Sequence, residues 1–175
     1  MKQSAPLFNR LALIGAGLIG SSIARAARAQ NAVREIVATA QSAATRRRVA
    51  ELGFADQVVE GNAAAVAGAD LVIVCVPVGV CGTVAAEIGP HLSPGAIVSD
   101  VGSVKGAVVR EMAPHLPGGV HFVPAHPVAG TEHSGPDAGF ATLFVGRWCI
   151  LTPPEGADLA AVEKLAAFWT LLGAN

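Results

Sequence analysis

Three short runs of this chain combine residue types and spacings that suit chemistry. The first is Gly15-Ala-Gly17-Leu18-Ile19-Gly20, which follows an apolar run and opens an Ala/Arg-rich stretch reaching Gln30. Strand, glycine turn and helix in that order make a site for the pyrophosphate of a dinucleotide. Gly15 permits the tight turn, Gly17 lets the backbone approach the anion, and Gly20 lets the helix pack on the strand. The N–H groups at the helix start, around Leu18 and Ile19, then face the phosphate. The second run is Ser99-Asp100-Val-Gly102-Ser103-Val-Lys105, a strand end, a Gly/Ser turn and a new helix. The third is Pro124-Ala-His126-Pro127-Val-Ala-Gly130-Thr131-Glu132-His133-Ser-Gly135-Pro136. It is polar, glycine-rich and longer than a structural turn requires. Its His126 suits proton transfer, because a neutral imidazole accepts a proton near neutral pH.

The elements that must position these runs alternate along the chain. Strands are expected near 11–14, 35–39, 57–59, 71–76, 96–99, 120–123 and 149–152, and helices near 17–30, 43–52, 78–88, 104–112 and 159–172. Alternation of this kind predicts an α/β fold: a doubly wound, mostly parallel sheet of Rossmann type with extra strands. Ligands in such folds bind beyond the carboxyl ends of the strands. Four transitions meet there: Gly15–Gly20, the proline-ended strand at Val76-Pro77, the Asp100–Lys105 turn, and the His126 loop. An internal echo sorts the histidines. Glu87-Ile-Gly-Pro90-His91-Leu and Glu111-Met-Ala-Pro114-His115-Leu share turn chemistry and precede strands, so His91 and His115 belong at the opposite end. His121 falls inside a strand. His126 and His133 are the two placed for chemistry, His126 the better of them.

Composition bounds the reading further. A chain of 175 residues, 52% apolar and 14% charged, can bury a core and suits one domain, or one domain plus a fragment of another. With the glycine motif, 1–175 is expected to be a dinucleotide-binding domain. A net charge of −1, with Arg46-Arg47-Arg48 as its one basic cluster, argues against a nucleic-acid partner. Cys75, Cys81 and Cys149 lack metal-site spacing, so no metal is expected and a reducing, cytoplasmic setting fits. The first 24 residues imitate a secretory signal, but the glycines fall at nucleotide-site spacing and a helix continues past them. No apolar run is long enough to span a bilayer, so no membrane partner is expected.

Gly-x-Gly-Leu-Ile-Gly-x-Ser, Asp100-Val-Gly-Ser-Val-Lys105 and His126-Pro-Val-Ala-Gly130-Thr-Glu, in that order, resemble the prephenate/arogenate (cyclohexadienyl) dehydrogenases of tyrosine biosynthesis. The resemblance covers essentially the whole chain. It implies an NAD(P)-dependent oxidative decarboxylation in which a ring carbon bearing a hydroxyl gives up hydride, carboxylate leaves as CO2 and the ring becomes aromatic. His126 would accept the hydroxyl proton. Ser103 would orient the histidine and the substrate hydroxyl, near the nicotinamide of the cofactor, and could also cap the following helix. Asp100 and Lys105 read first as structural. Gly130, Thr131 and Glu132 are expected to line the substrate pocket, with Glu132 equally able to stabilise its loop. The family's C-terminal helical domain, which the resemblance makes the source of homodimer contacts, would lie beyond Asn175. By itself the chain is then expected to bind cofactor and turn over substrate poorly or not at all.

The second strand departs from the common NAD pattern. Its end reads Val37-Ala38-Thr39-Ala40-Gln41-Ser42, with Ala40 where an acidic residue usually holds the ribose hydroxyls. Without that carboxylate a 2′-phosphate is not repelled, and Thr39, Gln41, Ser42 and Arg46 are candidates to contact it. This favours NADP or dual use, with NAD alone as the alternative and a solvated helix face as the other reading of the arginines. Two rival functions stand beside the dehydrogenase. A 3-hydroxyacid or imine reductase shares the glycine motif and needs a catalytic lysine on a later helix. A non-catalytic NAD(P) redox sensor needs no His/Ser pair.

Overall fold

The computed structural model describes residues 5–175. The chain runs β1 (Phe8–Ile14), α1 (Leu18–Ala29), β2 (Val33–Thr39), α2 (Ala43–Leu52), β3 (Gln57–Val58), α3 (Asn62–Val66), β4 (Leu71–Val74) and α4 (Cys81–Ile88). It continues through β5 (Ile97–Asp100), α5 (Lys105–Met112), β6 (His121–Phe122), β7 (Ala125–Pro127), β8 (Cys149–Leu151) and α6 (Leu159–Leu171). Six strands form one sheet in the order β3-β2-β1-β4-β5-β6, every pairing parallel. Strand order reverses between β1 and β4, which opens a crevice at their carboxyl ends.

Period-two alternation explains why this sheet is covered on both faces. Leu11, Leu13, Leu71, Ile73 and Ile97 enter one core with α1 and α6, whereas Ala12, Ile14, Val72, Val74 and Val98 enter a second core with α3, α4 and α5. Burial of each large apolar side chain contributes about 1.5–3 kcal/mol. Helix ends follow local chemistry: Ser42 caps α2 by accepting from Thr45 N at 3.0 Å, and Asp158 caps α6 by accepting from Ala161 N at 2.8 Å. The two echo segments both end as single 3-10 turns, Gly89–His91 and Ala113–His115, packed together closely enough that a Cβ on Gly89 would lie 2.2 Å from His115 O.

Three differences from the sequence reading bear on the site. The segment at 149–152 does not extend the main sheet; β8 pairs antiparallel with β7, an element hidden between Pro124 and Pro127. His126 therefore sits inside a short strand, not in a loop. The sequence pattern also passed over α3, which is a single short turn of small residues after Gly61. Finally, α5 begins at Lys105 with Val104 in the capping position and no side-chain cap, so Ser103 is not its N-cap.

One polar knot binds β5, α5 and β7 together. Asp100 is fully buried at the end of β5, where its Oδ2 accepts from Lys105 Nζ and from Gly102 N at 2.8 Å, and its Oδ1 accepts from Ala125 N at 3.2 Å. Lys105 Nζ also donates to Ala125 O at 2.6 Å. Asp100 and Lys105 are thus structural partners, as their flanking positions suggested. Removing one member of a buried pair strands the other charge, so Lys105→Met is expected to cost about 3 kcal/mol in denaturant unfolding. The pair Asp100→Asn with Lys105→Met should cost clearly less than the sum of the single changes. Additive costs would show that the two groups do not act as a unit.

Candidate functional site

The glycine turn is built as an anion cradle. Gly15 takes φ +98°, and a Cβ there would stand 2.4 Å from Cys75 O. A Cβ on Gly20 would stand 2.2 Å from Gly15 O, so helix and strand touch backbone to backbone. By contrast, nothing lies within 4 Å of where a Cβ would project from Gly17. Gly17 is the extended cap of α1 without a side-chain cap bond, and the first helical amide to find an acceptor is Ser21 N, bonded to Gly17 O at 2.9 Å. The amides of Leu18, Ile19 and Gly20 fall in the first turn, where helix geometry gives them no intrahelical acceptor, with the positive end of the helix dipole behind them.

Beside this turn lies a cleft of about 470 Å³ at the carboxyl ends of β1, β2 and β4. Val76 and Pro77 form part of its wall, as do Thr39, Ala40, Gln41 and Arg46 from the β2–α2 turn. Most of the hydrogen-bonding groups here are already engaged. Thr39 is buried and donates its hydroxyl to Val59 O at 2.8 Å, while Ser42 points into the helix it caps and is not part of the wall. Arg46 curls back from α2, donating to Ala40 O at 2.9 Å and Gln41 O at 3.0 Å, and pairs with Glu60 at 3.0 Å. Arg48 turns away to Asp137 and Glu51. Sequence reasoning missed Glu60, Asn62, Thr83 and Glu87, which also line the cleft. For Glu60 the signal was there: Val58-Val59-Glu60-Gly61 is another strand end followed by glycine.

At the other end of the crevice the Asp100 knot fixes two backbones at once. It holds Gly102, immediately before Ser103, and Ala125, immediately before His126. Ser103 is exposed and makes no side-chain hydrogen bond among the described residues. In β7, Ala125 and Pro127 turn inward and are buried, which points His126 outward, half-buried, opposite Ile150. Val128, Trp148 and Ile150 surround it with exposed apolar surface. Gly130, Thr131 and Glu132 lie in the exposed loop that follows. Thr131 Oγ1 accepts from His133 N at 3.1 Å, and Glu132 lies 3.4 Å from His133 Nε2, so both groups serve their own loop here. Burial pushes the pKa of the Cys149 thiol, across the hairpin from Pro127, up to about 12.

The loop from β7 then returns to the cradle. Phe140 N donates to Ser22 Oγ at 3.1 Å, and Gly139 lies so close to Ser21 that a Cβ would meet its hydroxyl at 2.0 Å. Asp137 accepts from Arg48 Nε at 2.9 Å, and those hydrogen bonds hold its carboxyl below the usual carboxylate range.

Comparison with known proteins identifies the family. A family model described as prephenate dehydrogenase, nucleotide-binding domain, matches residues 23–175. The cyclohexadienyl dehydrogenase of Zymomonas mobilis is 42% identical over 167 residues, covering 95% of this chain and 57% of the relative. The prephenate dehydrogenase of Bacillus subtilis is 33% identical over 154 residues, covering 87% of this chain and 42% of the relative. The chain thus spans about half the length of these relatives. Among solved structures, A. aeolicus prephenate dehydrogenase in complex with hydroxyphenyl propionate and NAD+ superposes with a TM-score of 0.87 at 27% identity, over 95% of this chain and 58% of that one. Synechocystis arogenate dehydrogenase gives 0.86 at 29% identity over the same shares. The doubly wound, Rossmann-type sheet is common to them. With the motifs, the sheet and the cradle in agreement, the chain belongs to the prephenate dehydrogenase family, as its nucleotide-binding domain.

Proposed function

We propose that the chain binds NADP or NAD in the cleft beside Gly17, and that the whole protein oxidatively decarboxylates prephenate, arogenate or both in tyrosine biosynthesis. The observation that carries this reading is the Asp100 knot, which fixes the backbone immediately before Ser103 and immediately before His126. A general base and a hydroxyl are thereby held on one frame at the carboxyl end of the sheet.

A bound nicotinamide supplies the hydride acceptor. His126 takes the proton of the substrate hydroxyl as the C–H bond of the same carbon gives up hydride. Ser103, whose hydroxyl has no competing partner among the described residues, donates to or accepts from that oxygen and keeps it facing the imidazole. The carboxylate then leaves as CO2, and its bonding pair enters the ring and passes to the carbonyl oxygen. That phenolate oxygen takes the proton back from His126, yielding 4-hydroxyphenylpyruvate from prephenate or tyrosine from arogenate. Aromatisation drives the reaction, so positioning and modest base assistance are sufficient. Gly130, Thr131 and Glu132 are proposed to meet the substrate, which requires Glu132 to leave His133. Leu18, Ile19 and Gly20 offer amides to the pyrophosphate, Val76 and Pro77 flank the dinucleotide, and Thr39 and Arg46 are proposed at its ribose end, whereas Ser42 is given over to capping α2.

Homodimeric assembly of the whole protein, which rests on the family resemblance, belongs to the same proposal. So does a reducing, cytoplasmic location, which three free thiols support; no helix among the described residues is long and apolar enough to cross a membrane. The reductase alternative gains no support from the lysines described: Lys105 is tied to Asp100, and Lys164 lies over the ring of Phe8 at 4.2 Å, by the amino end of β1.

In the whole enzyme, His126→Asn is expected to lower kcat by about 10²–10⁴-fold while NAD(P) affinity stays within about twofold. Steady-state rates with prephenate and arogenate, alongside cofactor titration, measure both. Retained activity would leave His126 without a proton-transfer role, whereas cofactor binding with no turnover even in the parent protein would favour a redox sensor.

The glycines give a second check. Gly17→Ala should weaken dinucleotide binding about tenfold or more with little change in stability, because its Cβ would enter only the ligand's space. Gly20→Ala should instead cost about 1–3 kcal/mol of stability, since its Cβ must push backbone aside. Paired calorimetric titration and thermal unfolding separate the two.

A further inference from the structure

We infer that Glu60 sets the choice between NAD and NADP, by occupying the one edge of Arg46 that a 2′-phosphate needs. The inference rests on the proposal that a dinucleotide binds in this cleft, and it assigns a selective role to a residue outside the β2–α2 turn.

Register gives the first part of the case. Strands β2 and β3 are parallel with Val37 opposite Gln57 and Ala38 opposite Val58. The bonds Val59 N to Ala38 O at 3.0 Å and Thr39 Oγ1 to Val59 O at 2.8 Å carry that pairing past the end of β3. Continued by the same offset, Glu60 comes level with Ala40, the place where a carboxylate on β2 would meet the ribose hydroxyls. The acid missing from β2 is therefore present one strand over.

Arg46 decides what that acid does. Its Nη1 is fixed by two carbonyls, Ala40 O at 2.9 Å and Gln41 O at 3.0 Å, and its side chain is only 16% exposed. Nη2 faces Glu60 Oε1 at 3.0 Å, and both residues line the cleft. The guanidinium is thus anchored whether or not Glu60 is there, while Glu60, with its side chain 85% exposed, is held by that one ion pair. An exposed pair of this kind is weak and breaks readily. With Glu60 in place, the pair is neutral and the cleft suits a ribose with free hydroxyls. A 2′-phosphate must expel the carboxylate from Nη2, after which Arg46 meets it as an anchored, charge-assisted donor. Arg46 makes NADP acceptable and Glu60 sets its penalty, which is the arrangement of a dual-use site.

The test compares adenosine 2′,5′-bisphosphate with adenosine 5′-monophosphate, two probes that differ only in the 2′-phosphate, by calorimetric titration of the parent chain and its variants. Glu60→Gln is expected to tighten the bisphosphate about 5-fold to 10-fold and to leave the monophosphate within about twofold, the scale of one exposed charge interaction. Glu60→Gln combined with Arg46→Gln should lose that gain. Because Glu60 is exposed, its substitution tests the role without disturbing the fold. If the monophosphate binds and Glu60→Gln leaves the ratio of affinities unchanged, or if the gain survives without Arg46, the inference is overturned and the nucleotide reading stands. If neither probe nor NAD+ binds the parent chain, the nucleotide reading itself fails and takes this inference with it.

Discussion

A carboxylate with no solvent exposure is an expensive group to keep at the centre of a protein, and Asp100 is kept by complete use of its oxygens. Lys105 supplies the countercharge, Gly102 and Ala125 supply amides, and the lysine closes the circuit on Ala125 O. Each partner comes from a different piece of chain: the turn after β5, the start of α5 and the start of β7. Their mutual placement is therefore set by hydrogen-bond geometry and not by apolar packing, which tolerates sliding. The residues that follow Gly102 and Ala125 inherit that precision.

The two cores have the complementary task of leaving one end of the sheet to chemistry. Because β1 and β4 are buried on both faces, their side chains are fully spent on packing. Function is left to backbone amides, to the loops at the carboxyl ends, and to the small hairpin of β7 and β8. At the opposite end, the paired 3-10 turns bearing His91 and His115 close the structure without contributing to any cleft described here.

What the sequence made legible was whatever has a short-range cause. Glycine spacing announced the cradle because strand, tight turn and helix follow one another within a few residues, even though Gly15 answers to Cys75 O beyond β4. Unbroken apolar runs announced a sheet buried on both sides. Strand β7 escaped because its three residues include a proline and follow another, a composition that argues against a strand unless its partner β8 is known. Ser103 looked like a cap, yet the helix opens at Lys105, which is tied to Asp100, with Val104 in the capping position. Arg46 and Thr39 were singled out by position, but the Arg46 bond to Ala40 O needs the fold of the β2–α2 turn and the Thr39 bond to Val59 O needs the neighbouring strand. Glu60 is the extreme case: only register, a property of two strands together, places it beside Ala40.

The stretch between His126 and Phe140 is tied down at each end, to the Asp100 knot through Ala125 and to helix α1 through Ser22. It is a bridge with two abutments, not a flap on a hinge. A bridge can sag or bow at its middle, where Gly130, Thr131 and Glu132 lie, but it cannot swing aside as a door does. The rigidity of α1 then becomes a boundary condition on how far the arch can lift.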